Sequence, residues 1–293
     1  MAANNGSSNL TVNQPQPIYA VAFGCIMVLG LPLNAVSLWI LLRRHSLKST
    51  NAVFMVNLAI SDLLLVISLP MRVYFYAMGT WPLSALACSI ITKLFLNNIR
   101  SSSIFITFIS VDRLLAVVYP LRSRRVRTAA NAWKAVSLVW VFVAMMNIPE
   151  GIIFSKRLLT NNCSERICFE PRYQCGRKSP MVYFQTALVL LLLAVNVVCT
   201  ALVSWTLRRH LSDSVKVNNK MNVMLIFLMN FVTFTICFLP VSLAILTKDQ
   251  TAVAPLVCLA AMNCCLDPLL YYYSLDAFWK KKEDLELTGD QRM

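Results

Sequence analysis

Apolar runs of bilayer-crossing length recur seven times along this 293-residue chain, near residues 18–42, 51–75, 85–117, 132–154, 180–207, 218–247 and 251–274. A helix needs about 20 mostly apolar residues to cross the hydrocarbon core, because only there does one segment satisfy all its own backbone polar groups. The chain therefore reads as an all-α membrane protein, a seven-transmembrane helix bundle. Residues 1–17 form a tail before it, 18–274 the bundle, and 275–293 a short amphipathic helix and tail after the last span. Composition agrees, since 58% hydrophobic and 14% charged residues leave too little polar surface to cover a soluble core of this length. An excess of 27 Lys and Arg over 13 Asp and Glu, on so apolar a chain, points to cationic loops at a bilayer rather than to nucleic acid. Ten cysteines spread over the whole length exclude a disulfide-dense miniprotein. No internal repeat suggests the duplicated halves of a transporter.

Loop charge predicts the orientation. Residues 1–17 carry no charged side chain, whereas Arg43, Arg44 and Lys48 follow span one and are expected to stay cytoplasmic. Alternation then puts Arg122, Arg124, Arg125 and Arg127 inside, followed by Arg208, Arg209, Lys216 and Lys220, and finally Lys280 to Lys282. Sequons at Asn5, Asn9 and Asn162 all fall on the opposite side, where glycosylation occurs. The first ten residues, MAANNGSSNL, have neither a charged start nor an apolar run, so span one is expected to direct insertion. An extracellular N-terminus and a multi-pass place in the plasma membrane are the expectation.

Ionisable groups within spans face the protein interior or a watery cavity. Asp62, Arg100, Asp112, Arg113 and Asp267 are such groups, with Asn34, Asn57, Asn98, Ser102 and Asn263 as polar companions. An acid/base pair of Asp62 and Asp267 would be the enzyme reading, but no nucleophile, metal cluster or phosphate loop accompanies them. The bland reading is that they tie helices together by hydrogen bonds.

Several short motifs occur in order over nearly the whole chain. They are GLPLN ending at Asn34, NLAISD ending at Asp62, Cys88 at the outer end of span three, DRLLAVVYP from Asp112 to Pro120, Trp140, FTICFLP ending at Pro240, and NCCLDPLLY from Asn263 to Tyr271. This register resembles the rhodopsin-like G-protein-coupled receptors. CFLP, DP before Tyr271 and SLPMRVYFY after Asp62 resemble the purinoceptor-like branch, and GLPLNAVSLWILL, YAMGTWP and CFE are most similar to lysophosphatidic acid receptors and their orphan relatives.

The resemblance implies coupling to a heterotrimeric G protein. Arg113 would pair with Asp112 at rest and reach the G protein when span six swings away, a two-state element. Phe238 and Pro240 would be the rotamer switch and kink of span six, with Phe234 one turn below and Tyr271 in span seven; plain helix packing is the alternative for these aromatics. Asp62, Asn98, Ser102 and Asp267 resemble the family's sodium pocket; protonation of one acid is the equally physical alternative. No other cofactor is expected. The resemblance also implies a Cys88–Cys168 disulfide, while Cys163 and Cys175 either pair or stay free. After Tyr271, Phe278 and Trp279 beside Lys280 to Lys282 suggest an interfacial helix against membrane lipids.

The outer half bears on the ligand. Arg72 lies ten residues beyond Asp62, and so about 15 Å further along a helix. Lys93 and Arg100 are seven residues apart and share one helical side. Phe95 stands where amine receptors of the superfamily place an aspartate, which argues against a cationic ligand. Arg72, Lys93, Arg100 and Lys248 instead suit an anionic headgroup in an apolar cleft, foremost a lysophospholipid, with nucleotides and small carboxylates as rival anions. Snorkelling, helix-to-helix bonding and contact with lipid headgroups are the structural alternatives for Lys93, Arg100 and Arg72 respectively. Two departures from the family's pattern keep a receptor-like protein with weak or no coupling as an alternative. Span five carries Leu192 and Thr200 in place of the usual proline and tyrosine, and only 27 positions separate Pro240 from Asp267, leaving about Lys248 to Gln250 as the turn.

Overall fold

In the computed structural model the described residues are 15–44, 47, 49–159, 169, 180–210, 217–244, 246 and 253–272. Seven helices long and apolar enough to cross a membrane are present: Pro17–Arg43, Thr50–Met78, Leu86–Val118, Ala129–Pro149, Pro180–Arg209, Val223–Ala244 and Val253–Tyr272. These are spans one to seven, and the chain is a multi-pass membrane protein with a seven-helix bundle. The region expected to form an amphipathic helix after span seven lies outside the described residues.

Where the helices outrun the apolar runs, capping chemistry explains it. Span two continues to Met78 because Gly79 adopts φ 69° and donates its N–H to the carbonyl of Phe75 at 2.8 Å. Ser84 caps span three by accepting the Ala87 N–H. Span four starts at Ala129, ahead of its apolar run, because the hydroxyl of Thr128 accepts the Asn131 N–H at 3.3 Å. Span six is the irregular one. Its helix Val217–Val232 passes into a π-helical turn, Thr233–Phe238, before Leu239–Ala244 completes the span. Pro240 supplies the cause, because it lacks an N–H and its ring crowds the carbonyl one turn back; a widened turn accommodates both.

Span two is the axis of the bundle. In its most apolar stretch 78% of residues are buried, against 22% for spans one and four. Spans one, two and seven meet at Gly30, where an added Cβ would lie 2.9 Å from the sulfur of Cys264 and 3.3 Å from Val66. Asn34 fixes this approach by donating to the carbonyls of Gly30 and Cys264, at 3.0 and 2.6 Å. Trp140 of span four donates to Asn57 of span two at 3.0 Å. These bonds give Asn34, Asn57 and Trp140 the helix-tying role expected of polar groups in lipid. Large apolar side chains such as Ile18, Val28, Trp39, Leu138, Leu191 and Leu228 point outward, which only a hydrocarbon solvent stabilises.

Candidate functional site

Arg72 is held near the end of the bundle at which span one begins. It stands two residues after Pro70 in span two, and only 3% of it is exposed. Its guanidinium lies 4.5 Å from the ring centre of Phe95 in span three, 4.3 Å from that of Phe169, and 6.0 Å from that of Phe23 in span one. The buried Nε has no hydrogen-bond partner. A buried cation set against aromatic faces keeps part of its lost hydration as cation–π attraction, yet retains donors for a bidentate anion.

The other cations have different neighbours. Arg100 of span three is 2% exposed and donates from Nε to Gln185 of span five at 2.8 Å, with a longer bond of 3.4 Å to Asn97. The Nζ of Lys93 lies 3.4 Å from where a Cβ would stand on Gly151, in the helix Ala129–Leu159 that continues span four. Arg100 thus has the helix-to-helix bond that sequence reasoning held as its structural alternative. Lys248 lies outside the described residues.

Deeper in the bundle, Asp62 and Asp267 are fully buried and within hydrogen-bond reach of each other. Asn98 and Ser102 donate to Asp62 Oδ1 at 3.0 and 3.4 Å, and Asn263 donates to Asn98 at 3.4 Å. No donor reaches Asp62 Oδ2 or either oxygen of Asp267. The four residues grouped by resemblance are therefore joined, with Ser61, Ser101 and Asn263 around them. Two buried carboxylates with three oxygens lacking donors are eased by a shared proton or a cation, and oxygen ligands of this kind fit a small hard ion.

At the opposite end, Asp112 takes a partner other than the expected one. Arg127, in the turn before span four, donates Nε and Nη2 to its two carboxylate oxygens at 2.8 and 3.0 Å. The carboxylate beside it pushes the Arg127 guanidinium above its usual range. Arg113, expected to hold Asp112 at rest, leaves its buried Nε without a hydrogen-bond partner. The correction has a geometric reason. Adjacent helical residues diverge by about 100° around the axis, whereas Arg127 approaches from the loop with both donors aligned. Phe234 and Phe238 are fully buried and meet edge to face, 5.5 Å apart at 89°, on the π-helical turn before Pro240. Tyr271 is buried with its hydroxyl unpartnered.

One cluster escaped sequence reasoning. Ser110 of span three donates to Asn196 of span five at 2.6 Å and accepts from Asn230 of span six at 2.6 Å, while Asn196 also donates to Thr107 at 2.9 Å. All four are at most 3% exposed. An asparagine amide within each of two otherwise apolar runs was the readable signal, since such a group needs a partner in another helix. Phe169 and Gln185 carried no comparable signal.

Cys88 is disulfide-bonded, and its partner lies outside the described residues, as do Cys163, Cys168 and Cys175 and the sequon residues Asn5, Asn9 and Asn162. Among the described residues Cys25, Cys199, Cys237, Cys258, Cys264 and Cys265 are free.

Comparison with known proteins agrees with this geometry. Residues 33–271 match the family described as 7 transmembrane receptor (rhodopsin family). The lysophosphatidic acid receptor 6 of Gallus gallus is 32% identical over 279 residues, covering 88% of this chain and 90% of the relative. The lysophosphatidic acid receptor 4 of Homo sapiens is 34% identical over 284 residues, covering 90% and 75%. The lysophosphatidic acid receptor 5 of Mus musculus is 33% identical over 305 residues, covering 94% and 82%. With the motifs in register, the seven spans in place and the match running from Leu33 to Tyr271, the chain belongs to the rhodopsin family of seven-transmembrane receptors.

Proposed function

We propose that this chain is a plasma-membrane receptor, N-terminus outside, that senses an extracellular anionic lysophospholipid and activates a heterotrimeric G protein. The observation that carries the reading is Arg72, a buried cation among aromatic rings with an unused donor. A phosphate monoester gives such a group a bidentate partner, and an acyl chain finds apolar helix surface around it. The names of the three relatives support this ligand class over nucleotides and small carboxylates. Lys93 and Lys248 are secondary headgroup cations, while Arg100 is held between helices by Gln185. A Cys88–Cys168 bond anchors the second outer loop, and glycans on Asn5, Asn9 and Asn162 mark the outer side.

Activation in this reading makes Arg113 available to the G protein as span six bends at Thr233–Phe238 and Pro240. Sodium, held by Asp62, Asn98, Ser102 and Asp267, would favour the resting arrangement. The test is nucleotide exchange in membranes carrying the chain and a panel of G proteins, challenged with lysophosphatidic acid, a nucleoside diphosphate and a short carboxylate. Exchange evoked by the lysophospholipid and abolished in Arg113→Ala is expected. Exchange evoked only by another anion would replace the ligand class; none with any G protein would favour the non-signalling alternative.

A further inference from the structure

The turn between spans three and four sets four arginines, Arg122, Arg124, Arg125 and Arg127, ahead of the hydroxyl of Thr128. Arg122, Arg124 and Arg125 are exposed, as is Val126, so the turn lies open on the side that leads to Thr128. Thr128 itself is partly exposed. Its Oγ1 accepts the Asn131 N–H at 3.3 Å and, among the described residues, donates to no group. Ser123, the serine of the same turn, is committed elsewhere: it is buried, and its hydroxyl donates to the Leu115 carbonyl at 3.1 Å.

A covalent phosphate suits Thr128 for two independent reasons. The helix Ala129–Leu159 begins immediately after it, and the dipole and free first-turn N–H groups of a helix favour negative charge at that end. The arginines before it supply counter-charge from the other side. Arg127, Arg125 and Arg124 also stand one, three and four residues before the hydroxyl, a charge pattern that kinases with an acidic substrate groove read. We propose that Thr128 is a phosphorylation site for an arginine-directed Ser/Thr kinase, and that its phosphate loosens the hold of Arg127 on Asp112. The γ-phosphoryl group of ATP passes to Oγ1 as its bond to the β,γ-bridging oxygen breaks. ADP leaves, and the hydroxyl proton goes to the catalytic base of the kinase. About 1.5 to 2 negative charges are added. Consecutive Cα atoms are about 3.8 Å apart, so this charge stands beside Arg127 and well within a Debye length of it. The Arg127 side chain is 28% exposed while it bonds Asp112 at 2.8 and 3.0 Å. A dianion next to it on the solvent side therefore competes with the carboxylate for the same cation. The site stands on the geometry of the turn, whereas its effect on signalling rests on the proposed G-protein reading.

The first arm needs no G protein. The full-length chain in lipid nanodiscs is incubated with ATP, magnesium and the catalytic subunit of either cyclic-AMP-dependent kinase or protein kinase C. Ser46 and Ser212 also follow arginine pairs, so mass spectrometry assigns the phosphate residue by residue. Phosphate on Thr128 is expected, with incorporation there about tenfold slower or more in Arg125→Gln, the value of one charge-assisted contact to the kinase. No phosphate on Thr128 with either kinase would overturn the site. The second arm measures exchange evoked by lysophosphatidic acid before and after kinase treatment. The unsubstituted chain should lose about two- to fivefold, the range of a partly solvated electrostatic interaction. Thr128→Asn, which keeps a capping side chain but accepts no phosphate, should lose nothing, and Arg127→Gln should show no further fall. Unchanged exchange with Thr128 phosphorylated, or an equal fall in Arg127→Gln, would overturn the link to Arg127. If the chain evokes no exchange under any condition, the proposed function fails while the first arm still decides the site.

Discussion

Replacing Arg127 by glutamine asks which cation owns the Asp112 carboxylate. Asp112 is 2% exposed and receives bonds of 2.8 and 3.0 Å from Arg127, which is itself 28% exposed. A charge-assisted bidentate pair with one partly solvated member contributes about 1–3 kcal/mol once screening is counted. Without Arg127 the buried carboxylate is left unpaired, which is costly, and the neighbouring Arg113 has a free Nε to offer. Arg113 then becomes tethered and must be detached before it can meet a G protein. Agonist-evoked nucleotide exchange in Arg127→Gln should therefore fall, by about 5- to 150-fold at the limit set by that pair energy. Asp112→Asn releases Arg127 and removes the one carboxylate that could tether Arg113, so basal exchange should not fall and is expected to rise. In the double variant Arg127 has nothing left to withhold, so it should behave as Asp112→Asn alone, a non-additive result. The assay is GTP-analogue binding in membranes matched for receptor number. Increased exchange in Arg127→Gln, or additive effects in the double variant, would refute competition for Asp112.

Asn230→Leu removes the span-six member of the Ser110–Asn196–Asn230 cluster; basal exchange should rise several-fold and stability fall by about 1–3 kcal/mol, measured as exchange without ligand and as thermal unfolding in detergent. Unchanged values in both would remove the cluster from the switch. Gly30→Ala brings a methyl group to 2.9 Å from Cys264 where spans one, two and seven converge, and should lower stability by about 1–3 kcal/mol; an unshifted midpoint would show that the helices separate without strain. Replacing N-methylglucamine by sodium should raise the thermal midpoint of the parent chain but not of Asp62→Asn or Asp267→Asn. If sodium has no effect on the parent, a shared proton neutralises the carboxylates.

The seven spans were legible because hydrocarbon imposes one periodic demand on each: length and apolarity. Their ends were less so, although Gly79 and Thr128 carried the capping chemistry that lengthens spans two and four. The carboxylate pocket could be read because Asp62 and Asp267 are conspicuous in lipid and need one another. The partner of Asp112 could not, because Arg113 is adjacent in sequence whereas Arg127 becomes adjacent only when the loop folds back. The aromatic surroundings of Arg72 were hidden for a similar reason. Phe23, Phe95 and Phe169 come from two helices and a loop, and an aromatic residue in an apolar chain gives no sign of the cation that it will face.

The central claim is that Arg72 receives the anionic headgroup of a lysophospholipid. Saturation binding of radiolabelled lysophosphatidic acid to the purified receptor in nanodiscs tests it without any G protein. The account predicts saturable binding to the unsubstituted chain, at least tenfold weaker binding to Arg72→Ala, and partial retention in Arg72→Lys, which keeps the charge but loses the fork. Saturable binding of equal affinity in all three proteins would contradict it.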